Sequence, residues 1–157
     1  MITSSEITDR PLVVLVADDE MLLRMLAVEV LSENGCVTIE AANAAAALEV
    51  IGSQADDIDV LFTDIRMPGE INGLDLAHCV RYRWPWIGIV VVSGNIFVTP
   101  KELPDRARFL RKPYDMDHVV DVIREVARRD VRGRRHDGAG RDYDSHGPGS
   151  SGAILAD

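Results

Sequence analysis

Four short apolar runs, each ended by a polar residue, constrain this chain more than any other feature. LVVLVA (12–17) ends in Asp18-Asp19, IDVLFT (58–63) ends in Asp64, and IGIVVV (87–92) ends in Ser93. RARFL (106–110) leads through Arg111 into Lys112-Pro113. Short continuous runs of this kind, rich in Val and Ile, suit strands covered on both faces. CVTIEAA (36–42) adds a fifth. Helical patterns fill the gaps. From Glu20 to Asn34 the positions Leu22, Leu23, Leu26, Val30 and Leu31 recur at helical spacing, and Gly35 follows where a left-handed cap sits. Asn43 is placed to cap ANAAAALEVIGSQ, whose alanines favour helix. LDLAHCVRYRW (74–84) forms a third helix stopped by Pro85. Met116 to Arg129 presents Val119, Val120, Val122, Ile123, Val126 and Ala127 as an apolar face. Strand-helix alternation predicts an α/β fold, a doubly wound five-stranded parallel sheet with helices on both faces.

One segment breaks the pattern. NIFVTPKELPDRA (95–107) holds Pro100 and Pro104. A proline inside a helix removes a hydrogen bond and clashes with the preceding turn, at a cost of about 3 kcal/mol. The fourth helix is therefore expected to be shortened or distorted, one turn at most, with Pro100 as its first residue.

The 157 residues suit one domain with additions at its ends. Residues 1–10 read as a polar lead-in, 11–130 as the folded domain, and 131–157 as a disordered tail that holds six of the 12 glycines. The formal charge of −9 argues against a nucleic-acid surface, which needs clustered Lys and Arg. The RGRR cluster of the tail reads as a solvated segment. MITSSEITDRP has neither a basic n-region nor an apolar h-region, and no apolar run approaches the roughly 20 residues of a membrane span. No membrane association and a cytoplasmic location are expected. Cys36 and Cys79 read as buried thiols, with no CxxC and no His at ligand spacing. His78 and His118 read as surface or packing residues. Trp84 and Trp86, flanking Pro85, read as cover for the sheet edge or as a partner patch.

In a parallel sheet the carboxyl ends of the strands share one edge, where open α/β sheets place their ligands. Asp18, Asp19, Asp64, Ser93 and Lys112 then meet. Asp is also a favoured helix cap, but the matching strand ends make a joint site the better reading. Three carboxylates together call for a proton or a cation. Mg²⁺ suits them, since it takes oxygen ligands and brings phosphate oxygens with it. Carboxylates such as Asp64 form aspartyl-phosphates, Lys112 is placed to neutralise a phosphoryl oxygen, and Ser93 to donate to another. A flavodoxin-like or nucleotide-binding enzyme would need a glycine-rich turn after the first strand, and ADDEMLLR has none.

VADDE (16–20), LFTDIRMPG (61–69) followed by NGLDLA (72–77), VVVSGN (90–95) and FLRKPY (109–114) complete the pattern. In this order and spacing the chain resembles the receiver domain of two-component response regulators over about residues 10–130. The resemblance implies a flavodoxin/CheY-like (βα)5 fold with Asp64 as phosphoacceptor. It makes Asp18 and Asp19 the acidic pair for Mg²⁺, with Asp64 and the backbone carbonyl of Arg66 completing the ligands. Ser93 fills the switch position, Lys112 is the lysine of the site, and Lys112-Pro113 is where the family has a cis peptide. Phe109 falls at the rotating aromatic position and equally suits a strand in the core. Arg66 and Asn95 fall where the lifetime of the phosphorylated state is tuned. Gly94 leaves room for a partner histidine.

The expected role follows from the resemblance. The chain accepts a phosphoryl group from a phosphohistidine of a sensor kinase or phosphotransfer protein, and the added charge switches its protein–protein interactions. It is not expected to be an enzyme beyond its own phosphorylation and dephosphorylation. A stand-alone regulator without a DNA-binding module is expected, as monomer or phosphorylation-dependent dimer. A phosphate sink or relay is the alternative, and a pseudo-receiver interaction module a weaker one. The altered 95–107 segment falls on the usual output surface.

Overall fold

The computed structural model describes residues 10–95 and 97–127. Five strands, β1 (Val13–Ala17), β2 (Val37–Ala41), β3 (Val60–Asp64), β4 (Gly88–Ser93) and β5 (Arg108–Arg111), form one sheet in the order β2-β1-β3-β4-β5. Every neighbouring pair is parallel. The helices are α1 (Met21–Glu33), α2 (Ala44–Gln54), α3 (Gly73–Arg83) and α4, which spans residues 116–127. The expected lead-in and the expected tail lie outside the described residues, apart from Arg10.

Strand residues alternate between the two faces, and two cores result. Leu15, Leu61, Ile89 and Val91 pack on one face with Ile51 of α2 and Leu76 and Val80 of α3. Val14, Val16, Phe62, Val90 and Val92 pack on the other with Ala27 and Leu31 of α1 and Val119, Ile123 and Val126 of α4. The central strands are buried on both sides, as their unbroken apolar runs require.

The helix starts are written locally. The Asn43 side chain accepts from Ala46 N–H at 2.7 Å. Asn72 Oδ1 accepts from the N–H groups of Leu74 and Asp75 at 2.9 Å, while Asp75 Oδ2 accepts from Asn72 N–H at 3.0 Å. This reciprocal box sets the start of α3 beside the end of β3.

Two expectations are corrected. The fifth strand begins at Arg108, where the pattern predicts Arg106. Arg106 has φ +64°, a left-handed turn conformation that ends any extension of the strand toward it. The apolar positions of the first helix also divide. Ala27 and Leu31 are buried, but Leu22 is 77% exposed and Leu26 is 49% exposed. Met21 and Met25 are exposed beside them. Periodicity marks apolar positions and cannot say which of them find a partner.

Between β4 and β5 the helical element among the described residues is a 3₁₀ turn, Pro100–Glu102, with proline at its start. Thr99 caps it through Glu102, the hydroxyl donating to Glu102 Oε1 at 2.9 Å. Helix α3 fastens this strap. His78 Nε2 bonds the Glu102 carbonyl at 2.6 Å. Arg81 donates through Nε to the Asp105 carbonyl, and through Nη1 to the carbonyls of Pro85 and Ile87, at 2.7–2.9 Å. Val98 and Pro104 are buried beneath it. Trp86 is buried just past the carboxyl end of α3, its Nε1 donating to the Ala55 carbonyl, and Trp84 lies under the Arg83 guanidinium. Cys36 and Cys79 are free thiols; Cys36 is buried as expected, but Cys79 is only partly buried.

Candidate functional site

The parallel register brings the chemistry to the carboxyl edge. Asp18 follows β1, Asp64 ends β3, Ser93 ends β4 and Lys112 follows β5. Asp18, Asp64 and Ser93 are each at most 6% exposed. Lys112 Nζ donates to Asp64 Oδ2 at 2.9 Å, and Arg66 N–H donates to Asp64 Oδ1 at 3.3 Å. Thr63 Oγ donates to the Asp64 carbonyl at 2.9 Å, and Gly73 N–H to the Ile65 carbonyl at 2.8 Å. Gly73 lies so close that a Cβ there would stand 1.7 Å from the Asp64 carbonyl oxygen, so no side chain fits. Its glycine is a steric requirement of the acceptor strand's end.

The turn after β1 is held by two bonds. Glu20 N–H donates to Asp18 Oδ1 at 2.9 Å, and Arg24 Nη1 donates to the Asp18 carbonyl at 2.7 Å. Arg24 also pairs with Glu40 of β2 at 3.0 Å. Asp18 therefore acts on the start of α1 without being its cap; the cap position belongs to Glu20, whose side chain makes no cap bond.

Burial pushes the Asp18 carboxyl above the ordinary carboxylate range, and the neighbouring charges of Asp64 and Glu20 push it further, against the backbone bond from Glu20 and the pull of Lys112. Burial works against the charge of Lys112, but the hydrogen bond and charge of Asp64, with Asp18 behind it, raise it overall. Burial raises the Tyr114 hydroxyl as well. Its ring packs edge-on against Phe62 at 6.2 Å.

A cleft of about 390 Å³ opens over these groups, lined by Asp19, Glu20, Leu23, Asp64, Arg66, Ser93, Gly94, Asn95 and Lys112. Asp19 is exposed on its rim, and Arg66 and Asn95 stand at its mouth. Phe109 lies apart from the cleft, half-buried on β5 against the core face shared with α2 and α3. The Lys112–Pro113 peptide is cis. Two cleft residues escape the sequence reading, Glu20 and Leu23. One oxygen each from Asp18, Glu20 and Asp64 lies within 4.8 Å of the others, while Asp19 stands outside that trio. An all-oxygen donor set of this kind fits a hard divalent cation such as Mg²⁺.

These features have close counterparts among known proteins. The family model described as the response regulator receiver domain matches residues 14–124. The sensor kinase CckA of Brucella abortus is 31% identical over 72% of this chain, which spans 12% of that protein. The transcriptional regulator NtrC of Azospirillum brasilense is 31% identical over 70% of the chain, which spans 23% of it. The sporulation initiation phosphotransferase F of Bacillus subtilis is 26% identical over 71% of the chain and 90% of its own length. Among solved structures, the receiver domain of NtrX from Brucella abortus superposes with a TM-score of 0.66 at 28% identity, over 73% of this chain and 98% of that one. Receiver domains act in two-component signalling, meet histidine kinases or phosphotransfer proteins, and bind Mg²⁺ at an acidic pocket. No described helix is long and apolar enough to cross a membrane. The chain belongs to the response regulator receiver domain family.

Proposed function

We propose that Asp64 takes a phosphoryl group from a phosphohistidine of a kinase or phosphotransfer protein and that the added charge changes which proteins this chain binds. The observation that carries the reading is the Asp64 carboxylate itself, nearly buried at the floor of an open cleft and bonded to Lys112 Nζ at 2.9 Å. Such transfer depends on in-line positioning and charge neutralisation more than on covalent help. An Asp64 oxygen forms the new O–P bond as the P–N bond breaks, and the electron pair leaves with the imidazole. Lys112 Nζ then faces a phosphoryl oxygen, and the Ser93 hydroxyl donates to another. The metal residues are Asp18, Asp19, Asp64 and the Arg66 carbonyl. When bound, Mg²⁺ offsets the charge that the carboxylates and the incoming oxygens share.

The phosphoryl group carries about −1.5 to −2 charge into the cleft. Ser93 moves toward it and Phe109 follows, which transmits the change to β5 and α4. Arg66 and Asn95 at the mouth set how fast water reaches the acyl phosphate. The exposed Met21, Leu22, Met25 and Leu26, beside cleft residue Leu23, suit an apolar helical surface of the phosphodonor. The chain's own catalysis is limited to gaining and losing this group, in the cytoplasm with its donor.

Intact mass after incubation with acetyl phosphate and Mg²⁺ tests the reading. A gain of one phosphoryl group, absent in Asp64→Asn and without metal, is expected. No adduct, together with no stable beryllofluoride complex, would reject it. A relay role is a second reading, favoured by the match across 90% of the sporulation phosphotransferase. Passage of the label from Asp64 to a phosphotransfer histidine separates relay from switch.

A further inference from the structure

We propose that Arg81 and His78 form a latch that passes the state of Asp64 to helix α3, so that α3 itself carries the switch out of the sheet. The inference rests on the receiver reading of the cleft and adds the route by which its signal leaves.

Three observations support the latch. First, α3 is tied to the acceptor at its start, where Gly73 N–H donates to the Ile65 carbonyl at 2.8 Å, next to Asp64. Second, the far half of α3 grips the entries of both switch strands. Arg81 Nη1 donates to the Ile87 carbonyl at 2.9 Å, just before β4, and Nε donates to the Asp105 carbonyl at 2.7 Å, shortly before β5. β4 ends in Ser93, while β5 carries Phe109 and leads to Lys112. His78 adds a second grip, its Nε2–H donating to the Glu102 carbonyl at 2.6 Å. Third, the strap is too short and too well held to move as an element of its own. Its 3₁₀ turn spans 3 residues, and Val98 and Pro104 are buried beneath it. Arg106, at φ +64°, donates to the Pro85 carbonyl at 3.1 Å, an acceptor it shares with Arg81.

The packing supplies the push. Phe109 stands opposite Val91 of β4 and is half-buried in the core that holds Leu76 and Val80 of α3 with Leu103 and Ala107 of the strap. A turn of that ring changes the space these residues fill, and a close-packed interior passes such a change on instead of absorbing it. The strap cannot yield without taking the Glu102 and Asp105 carbonyls with it, and both are held from α3. Bonds from a guanidinium are stronger than neutral ones, so α3 follows the strap. The chain's 2 tryptophans, Trp84 and Trp86, flank Pro85 directly after α3 and report on this corner.

Hydrogen exchange of the full chain in Mg²⁺, with and without beryllofluoride as the phosphoryl mimic, tests this, with tryptophan fluorescence read on the same samples. The parent is compared with His78→Ala, Arg81→Lys and the double variant. In the parent, beryllofluoride is expected to change exchange in the second half of α3 by about fivefold or more, the lower end of an ordinary coupling between sites, and to shift the fluorescence, while α2 stays unchanged. In the double variant both responses are expected to vanish although the beryllofluoride complex still forms. His78→Ala, a change at an exposed side chain, keeps the test open if the double variant fails to fold, and is expected to reduce the α3 response. An unchanged α3 in the parent, with the cleft and β5 responding, would overturn the latch and leave the receiver reading intact. A full α3 response in both single variants would overturn it as well. No beryllofluoride complex with the parent would remove both readings.

Discussion

At the scale of single residues, burial and charge at Asp18 have a measurable consequence. Its carboxyl titrates above the ordinary value of 3.8 because burial disfavours the charged form. The folded protein then binds more protons than the unfolded chain between that value and the raised one, so this group's contribution to stability declines as pH rises through the window. Above it the penalty persists until a cation relieves it. Asp18→Asn, without metal at neutral pH, is therefore expected to raise Tm by roughly 3–6 °C, the effect of about 1 kcal/mol in a domain of this size. Added Mg²⁺ should stabilise the parent and close the gap; thermal melts with and without metal read both. Gly73→Ala is expected to cost on the order of 3 kcal/mol and to abolish phosphorylation, because its methyl would displace the Asp64 backbone; urea unfolding and intact mass check the two effects. Asp18, Asp64, Ser93 and Lys112 were legible because each ends an apolar run, and a strand's end fixes where the next side chain arrives. Glu20 was not, because its direction depends on how the turn from β1 into α1 is wound, and that winding comes from Arg24 and the Asp18 carboxylate.

At the scale of elements, the strands and the cap of α2 were readable from local pattern, since unbroken apolar runs and Asn43 act within a few residues; the Asn72 cap of α3 emerged only in the structure. The two misreadings are failures of tertiary knowledge. Arg106 enters a left-handed turn that no apolar pattern announces, and the exposed half of α1 looks like the buried half in sequence. The strap between β4 and β5 carries a prediction of its own. One guanidinium, Arg81, satisfies carbonyls of Asp105, Pro85 and Ile87 from α3. Arg81→Met removes the side-chain donor of the part-buried Ile87 carbonyl and of the exposed Asp105 carbonyl, while Arg106 still donates to the Pro85 carbonyl at 3.1 Å, and is expected to cost about 1–2 kcal/mol. Arg81→Lys should recover only part, since a point charge cannot reach three acceptors that a planar fork spans. Hydrogen exchange confined to the strap and β5 would show where the loss falls.

At the scale of the molecule, the site is the meeting of four strand ends at the crossover in strand order between β1 and β3, so the sheet alone decides where the cleft lies. Two groups there, Lys112 and Tyr114, titrate above their ordinary values of 10.5 and 10.0. In both, the folded state holds its proton more tightly. Their contribution is fully present below the ordinary values and is lost as pH rises through the raised ones. Chemical denaturation is expected to show stability falling above about pH 10. Lys112→Met should flatten that limb in part, and Tyr114→Phe the remainder.

The strap has one more implication. Lys112 N–H bonds the Ser93 carbonyl at 3.0 Å, so the chain leaves the sheet edge and returns to it at the same backbone pair. The excursion between them is a closed loop with its ends already fixed. Lengthening such a loop costs little conformational entropy, about 0.6 kcal/mol for each doubling. The exposed stretch at Phe97 is thus a natural insertion point, where a peptide tag or a reporter module can be grafted a short distance from the cleft while Ser93 and Lys112 keep their places.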